Sequence, residues 1–337
     1  MKIFYFLCFI FLTSVFVPQS YAQRNQKRLI NVPVAVSDRE GHYIAGLRKE
    51  DFSVFQDGVK QEIVSFETEE EPVSVAILID ASRSTDKILG KIKDAAQNFI
   101  KLLNPKDQSM IATFDSDVNI LNQFTSDKAA LETSIDRIKV NEKVGTVLHR
   151  AINQIVKNSF ASVKGRKALI VLTDGKDFGS YMTRSELIDS LQETDVMIYT
   201  VFYNTGIDFS KPNSMPTATA DDVKKKKKKS KKKSGFSLDI PDGDFPSEEE
   251  VKLREKRDDQ EAIDALKRMS DATAGRFYNK EITDLKSTFE QIADELRKQY
   301  RLSYYAAESG KNSAHELLVK INRPDAVVRT REGFRLK

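Results

Sequence analysis

A short apolar run in the first third of the chain sets the strongest limit on its fold. Residues 73–79 read VSVAILI, and Asp80, Ser82 and Ser84 follow at every second position. A nearly unbroken run of this length, rich in β-branched residues, is typical of a strand buried on both faces of a parallel sheet. Open α/β sheets bind their ligands at the carboxyl ends of such strands. The acid and the two hydroxyls supply hard oxygen atoms, which Mg²⁺ and Ca²⁺ prefer.

Strand-like and helical patterns alternate through the middle of the chain. This alternation predicts a doubly wound, Rossmann-like and mostly parallel sheet with helices on both faces. The strand-like segments are 108–114, 118–121, 167–173, 195–203 and 276–278, and the helical ones are 86–103, 127–138, 147–159, 183–192, 260–273 and 283–299.

The two ends of the chain have a different character. Residues 28–70 and 300–337 contain short alternating segments and no helical pattern, and Asp57-Gly58 is a strong hairpin signal. Neither end offers enough strands to be stable alone. We therefore expect the ends to pair into one small β-sandwich, with the α/β domain of residues 73–299 inserted between them.

The first 22 residues have the pattern of a secretory signal. Lys2 precedes an apolar stretch, and Ser20-Tyr21-Ala22 supplies the small residues of a cleavage site after Ala22. An uncleaved membrane anchor is the alternative, although the stretch is slightly short for a span. The only cysteine, Cys8, lies in this segment, so the mature chain has no disulfide. No second apolar stretch reaches membrane length. These features predict a secreted or periplasmic protein.

Residues 204–258 interrupt the α/β pattern. They contain four prolines and a tract with nine lysines between Lys224 and Lys233, which predicts a disordered insertion. Without Lys2 and those nine lysines, the formal charge of +4 becomes −6. The tract has no interleaved aromatic residues, so stacking on bases is not expected, and we predict no specific nucleic-acid partner. Weak contacts with anionic groups and a merely solvated loop are the two remaining interpretations.

Three segments bring polar side chains to the same edge of the predicted sheet. Asp80, Ser82 and Ser84 follow one buried strand, Asp174 follows another, and Thr146 opens a helix after Gly145. Two carboxylates would repel each other there without a cation, and Mg²⁺ takes six oxygen ligands, often including waters. Helix capping is the alternative role for a single such residue, since Ser and Asp are favoured N-caps.

The pattern D-x-S-x-S, a distant threonine and a later T-D-G resembles the metal-ion-dependent adhesion site (MIDAS) of von Willebrand factor type A domains. The resemblance covers residues 73–203 and 260–299. It implies that Asp80, Ser82, Ser84, Thr146 and Asp174 hold Mg²⁺, or Mn²⁺ or Ca²⁺, directly or through water. It also implies that an Asp or Glu of a partner protein fills an open coordination position. Many relatives have glycine at the position of Arg83.

The two β-rich ends resemble those of a group of secreted bacterial proteins that carry a type A domain between them. The segments concerned are residues 34–58 and the ending VVRTREGF. The resemblance further suggests that the last helix of the domain, predicted at 283–299, shifts when the metal site is occupied.

The predicted function is binding rather than catalysis. Three histidines and the lack of a nucleophile–base arrangement argue against hydrolase or redox chemistry. Two alternatives remain: an envelope assembly factor with a vestigial metal site, and a Mg²⁺-dependent phosphoryl-transfer enzyme that uses Asp80 and Asp174. The second lacks a glycine-rich phosphate loop, and Ser82 stands where an aspartyl phosphatase of the Asp-x-Asp type carries a second acid.

Overall fold

A computed structural model describes most of the chain. The described residues are 28–68, 71–141, 145–203, 247–279, 284–306 and 313–335. The predicted signal segment, Cys8 and the lysine tract lie outside them. Among the described residues, no helix is both long and apolar enough to cross a membrane.

The described residues begin and end in β-structure. The N-terminal strands are β1 (Leu29–Ser37), β2 (Phe52–Gln56), β3 (Val59–Gln61) and β4 (Ile63–Glu67). The middle of the chain supplies strands β5 (Val73–Asp80), β6 (Gln108–Phe114), β7 (Val118–Thr125), β8 (Arg166–Thr173), β9 (Met197–Phe202) and β10 (Phe277–Asn279). The C-terminal strands are β11 (Tyr300–Tyr305), β12 (Ala314–Ile321), β13 (Val327–Arg329) and β14 (Gly333–Arg335).

The helices lie in the middle segment. They are α1 (Leu89–Leu102), α2 (Lys128–Asp136), α3 (Leu148–Gln154), α4 (Arg184–Leu191), α5 (Glu248–Asp271) and α6 (Leu285–Arg297). A 3₁₀ turn, Arg83–Thr85, precedes α1, and a π-helical turn, Ile155–Ser159, continues α3. The predicted helix at 147–159 is therefore divided into an α-helical and a π-helical part, whereas the predicted helix at 86–103 begins at Leu89.

The central sheet confirms the predicted fold class. Its strand order is β10-β9-β8-β5-β6-β7, and all pairs are parallel except β6–β7. Strand β5 is buried on both faces, as its sequence predicts: Val75, Ile77 and Ile79 point to the core beneath α1, α2 and α6, whereas Ala76 and Leu78 point to the core beneath α3, α4 and α5. Burying each large side chain stabilises the fold by about 1.5–3 kcal/mol.

The two ends of the chain form the predicted β-sandwich. Its sheets have the orders β13-β1-β11-β4 and β14-β12-β2-β3, so each sheet combines strands from both ends. A separate apolar core that includes Val32, Phe52, Tyr300 and Leu302 fills the space between them. Because β4 leads into β5 and α6 leads into β11, the α/β unit is inserted between the two halves of the sandwich.

Two boundaries differ most from the sequence prediction. Strand β7 continues to Thr125, four residues beyond the predicted end, because it pairs with β6 as far as Ser109. Helix α5 begins at Glu248 rather than at residue 260, so part of the predicted disordered insertion is helical. Ser247 accepts a bond from the Glu250 amide, and the Glu250 side chain bonds the Ser247 amide in return, a capping box that starts the helix.

Candidate metal centre

The end of β5 places one carboxylate and two hydroxyls together. Asp80, the last residue of the strand, is fully buried. Its Oδ1 accepts a hydrogen bond of 2.9 Å from the Ser82 amide, and the Ser82 and Ser84 hydroxyl oxygens lie 3.0 Å apart. Neither serine side chain caps a helix: Ser82 precedes the 3₁₀ turn without a capping bond, and Ile88 is the N-cap of α1. Capping therefore does not explain the two hydroxyls.

The end of β8 brings a second carboxylate to the same place. The parallel register pairs Ile79 with Leu172, so Thr173 lies beside Asp80 and donates a 2.9 Å hydrogen bond to its Oδ2. Asp174 follows at once and is 4% exposed. Its Oδ1 accepts a bond from the Lys176 amide at 3.3 Å, whereas its buried Oδ2 has no hydrogen-bond partner. Lys176 Nζ lies 3.9 Å from that Oδ2, which makes only a long ion pair.

The electrostatics of this pair favour a bound cation. Burial, and then the nearby negative charge of Asp174, raise the pKa of Asp80 to about 7. The Tyr203 hydroxyl is also buried without a hydrogen-bond partner. Burial and the charges of Asp80 and Asp174 raise its pKa well above the ordinary value. A positive ion between the carboxylates would offset their mutual repulsion and favour the charged form of Asp80. The sequence patterns gave no role to Tyr203 or to Thr173, the threonine of the T-D-G pattern, because their contacts depend on strand register.

Thr146 lies between the loops that follow β6 and β8. The amide of the next residue, Val147, bonds the Asp115 carbonyl at 2.8 Å, and the Phe178 amide bonds the Thr146 carbonyl at 2.9 Å. Gly145 reaches this position with a φ of +124°, a conformation that favours glycine. These contacts bring Thr146 to the loop after Asp174, but they include no hydrogen bond from its hydroxyl to the other four candidate ligands.

Helix α3 and the loop after β8 are joined by a buried acid–base pair. His149 Nδ1 lies 2.9 Å from Asp177 Oδ2 and 3.2 Å from the Met182 carbonyl. Burial would raise the pKa of Asp177, but hydrogen bonds from His149 and Ser180 hold it below the ordinary value. No pattern in the sequence links His149 to Asp177.

Helix α5 borders the same edge of the sheet. Gly175 has a φ of +77°, and a Cβ atom built there would lie 2.7 Å from the Ala262 Cβ. One helical turn earlier, Asp259 is half-buried. Burial raises its pKa, the Lys176 charge lowers it and the Asp174 charge raises it further. The middle of α5 therefore lies close to Asp174 and Lys176.

The donor set fits a hard divalent cation. The candidate ligands offer carboxylate and hydroxyl oxygens only, with one buried carboxylate oxygen unpartnered. Within the described ranges, no group of three or more His, Cys, Asp or Glu side chains offers a different metal site. Arg83 is exposed beside Ser82 and Ser84, so the site has a basic residue at its rim.

Comparison with solved structures found several similar chains. One is an aerotolerance-related membrane protein from Bacteroides fragilis, with 16% identity, a TM-score of 0.44, and coverage of 66% of this chain and 98% of the other. A second is the von Willebrand factor type A protein from Catenulispora acidiphila, with 13% identity, a TM-score of 0.45, and coverage of 93% and 75%. A third is proximal thread matrix protein 1 from the mussel byssus, described with a zinc-occupied MIDAS motif, with 14% identity, a TM-score of 0.47, and coverage of 71% and 48%.

The family comparison identifies the α/β unit. No curated protein sequence matches the chain significantly. The family model described as the von Willebrand factor type A domain matches residues 74–229, a segment that begins in β5 and includes all the candidate ligands. The mostly parallel central sheet, with helices on both faces, has the arrangement that the sequence predicts. Residues 74–229 are therefore assigned to the von Willebrand factor type A domain family.

Proposed function

We propose that this protein is a metal-dependent protein-binding module of the cell envelope or the extracellular space. Domains of this family typically mediate protein–protein interactions. In the proposed site, Asp80, Ser82, Ser84, Thr146 and Asp174 hold Mg²⁺, with Mn²⁺ and Ca²⁺ as alternatives. The ion supplies a positive charge that a carboxylate of the partner binds. No reaction is assigned to the chain.

One observation carries the metal part of the proposal. Two buried carboxylates, Asp80 and Asp174, lie within electrostatic reach of each other, and one of their oxygens has no hydrogen-bond partner. An uncompensated buried charge costs several kcal/mol in a protein. The chain retains both acids beside two paired hydroxyls, and a divalent cation is the group that such a donor set accommodates best.

The chain's own residues prepare the site in three ways. The Ser82 amide and the Thr173 hydroxyl each bond one oxygen of Asp80, which fixes the orientation of that carboxylate. The Ser82 and Ser84 hydroxyls already lie 3.0 Å apart. Burial of Asp80 and Asp174 excludes water that would otherwise screen the charge of the ion.

Titration calorimetry of the purified protein with Mg²⁺, Mn²⁺ and Ca²⁺ tests the metal site. We expect uptake of one divalent ion, lost in Asp80→Ala and retained in Asp86→Ala, an exposed acid of the same segment. Equal uptake by the two variants would refute the site.

Capture from an envelope extract tests the binding function. We expect one or more proteins to bind with Mg²⁺, to be released by a chelator, and not to bind Asp80→Ala. Binding that persists in the presence of the chelator and in Asp80→Ala would instead favour an assembly factor with a vestigial metal site.

The proposed location rests on the signal-like sequence of residues 1–22. Mass spectrometry of the exported protein should find a mature N-terminus at Gln23. An intact N-terminus in a membrane fraction would indicate the uncleaved anchor.

A further inference from the structure

The loop between β8 and α4 carries two aromatic side chains that the fold leaves in water. Phe178 is 76% exposed and Tyr181 is 95% exposed. Among the described residues, they are the most exposed of the large apolar side chains. Single exposed apolar residues are common on protein surfaces, but here two exposed aromatics lie three positions apart in one loop. We call Phe178 and Tyr181 the aromatic rim.

The loop that carries the aromatic rim is held in place. The Asp177 carboxylate bonds His149 at 2.9 Å and accepts a bond from the Ser180 hydroxyl at 2.7 Å. The Ser180 hydroxyl in turn accepts a bond from the Arg150 amide at 3.1 Å. Both anchors belong to helix α3. The residues that flank Phe178 are therefore fixed, and the exposure of the rim does not result from a loose loop.

The backbone between the two aromatics is also packed closely. A Cβ atom at Gly179 would lie 3.1 Å from the Val147 Cγ1 atom, so the loop touches the start of α3 at this residue. Val147 is itself buried. The loop backbone therefore packs against the start of α3, while the Phe178 and Tyr181 side chains stay exposed.

The aromatic rim adjoins the candidate metal centre. The Phe178 amide bonds the carbonyl of Thr146, a candidate ligand, at 2.9 Å, and Asp174 lies at the start of the same loop. Two basic residues stand at the same edge: Arg83 is exposed, and Lys176 lies 3.9 Å from the Asp174 carboxylate. An acidic group that approaches the ion therefore meets positive charge and aromatic surface together.

We propose that the aromatic rim is the specificity surface of the metal centre, and that it binds a large apolar side chain close to the partner's acidic residue. The occupant is a protein segment that carries an Asp or Glu and, within a few positions, a residue such as Leu or Phe. The metal part of this inference rests on the proposed function. Aromatic residues on a rigid support are favoured in binding hot spots because they bury large area at little entropic cost.

Matched synthetic peptides test this inference directly. Each pair has one Glu in a Gly-Ser background, with Leu in one member and Ser in the other at a chosen position near the Glu. Binding to the isotope-labelled protein is measured by NMR titration with saturating Mg²⁺, a method that detects weak complexes. For the best pair, we expect the Leu peptide to bind about tenfold more tightly, as the burial of one large side chain predicts.

Two variants distinguish the effect of the aromatic rim from a general loss of exposed apolar surface. In the double variant F178S/Y181S, the tenfold preference for Leu should disappear, while Mg²⁺ uptake by calorimetry stays unchanged. The control V59S/Y305S removes exposed apolar residues of the sandwich, which lie outside the loop. This control variant should keep both the preference for Leu and the uptake of Mg²⁺.

The possible failures are distinguishable. Loss of Mg²⁺ uptake by the intact protein would refute the proposed function itself. A Leu preference that survives in F178S/Y181S, or the absence of any peptide binding in the presence of bound Mg²⁺, would overturn the rim proposal alone. A Leu preference that persists after chelation would show that the rim acts separately from the metal, against the proposal. Rim-dependent self-association in sedimentation, or rim-dependent binding to lipid vesicles, would assign the surface to a second copy or to a membrane instead.

Discussion

Asp80 and Glu295 are both fully buried carboxylates, but their surroundings are opposite. Glu295, on helix α6, accepts hydrogen bonds from the Tyr43 and Tyr199 hydroxyls and pairs with Arg329 and, at 3.6 Å, with Arg276. The donors to Asp80 are the Ser82 amide and the hydroxyls of Ser82 and Thr173, and the charge that acts on it is the like charge of Asp174.

This difference separates a structural carboxylate from a binding one. The partners of Glu295 come from the β1–β2 connection, β9, the start of β10 and β13, so it ties the sandwich to the α/β domain. Its charge is compensated within the chain. Asp80 has no such compensation, and Asp174 has only the long ion pair with Lys176, so a bound cation would supply the missing positive charge. The predictions below test this contrast, beginning with the largest expected effect.

Removing the structural carboxylate should cost the most stability. Glu295→Ala leaves Arg329 and two tyrosine hydroxyls without their buried acceptor, so we expect a loss of about 3–5 kcal/mol in the free energy of unfolding. Urea unfolding followed by circular dichroism measures it. Glu290→Ala, at an exposed position of the same helix, should change the free energy by less than about 0.5 kcal/mol. Similar losses in the two variants would contradict the structural role of Glu295.

Next to Asp174, the backbone at Gly175 packs closely against helix α5. Gly175→Ala forces a Cβ to within 2.7 Å of Ala262 at a φ of +77°, whereas Gly58→Ala has a φ of +79° and nothing within 4 Å. Both variants should lose about 1 kcal/mol from the left-handed backbone. Gly175→Ala should lose about 1–3 kcal/mol more through overpacking, as thermal unfolding would show. Equal losses of stability in the two variants would mean that α5 can move away from this contact without a cost in free energy.

Metal should stabilise the protein, and only through the binding carboxylates. At about 100 times its dissociation constant, Mg²⁺ should raise the free energy of unfolding by about 2.7 kcal/mol. Asp80→Asn removes one of the two like charges, so we expect it to abolish the Mg²⁺ effect without a comparable loss in the metal-free protein. A large loss of metal-free stability would instead place Asp80 in the same class as Glu295.

The smallest expected effect concerns the residue that orients Asp80. Thr173→Val removes the hydroxyl that donates to Asp80 Oδ2, so we expect Mg²⁺ affinity to fall about tenfold, or about 1.4 kcal/mol. Thr173→Ser keeps the hydroxyl and should restore most of the affinity. If calorimetry shows the same loss in both variants, the packing of the methyl group rather than the hydrogen bond would explain it.

Features encoded in contiguous residues were predictable. The β5 and β8 runs, the hairpin at Asp57-Gly58 and the β-rich character of the two ends all depend on local pattern, and the structure has each of them. The start of α5 was missed although its signal was present, since Ser247 and Glu250 have capping-box spacing. The neighbouring prolines and lysines instead led to the prediction of a disordered insertion.

Features that join distant residues were not predictable. Thr173 orients Asp80 because β5 and β8 are parallel with Ile79 opposite Leu172, and no pattern along the chain sets that register. His149 meets Asp177, and Tyr43 meets Glu295, across 28 and 252 positions respectively. The five candidate ligands were predicted through family resemblance, and they remain a prediction until metal binding is measured.

The sequence by itself determined the kinds of element, their order and the chemical character of the strand ends, because burial periodicity and turn preferences act over a few residues. Only the tertiary structure decided which charged groups find partners and which do not. Strand register and helix packing gave Glu295 two arginines and left Asp80 facing another acid. Compensation of a buried charge depends on distances between residues far apart in the chain, and those distances exist only after the strands and helices have packed.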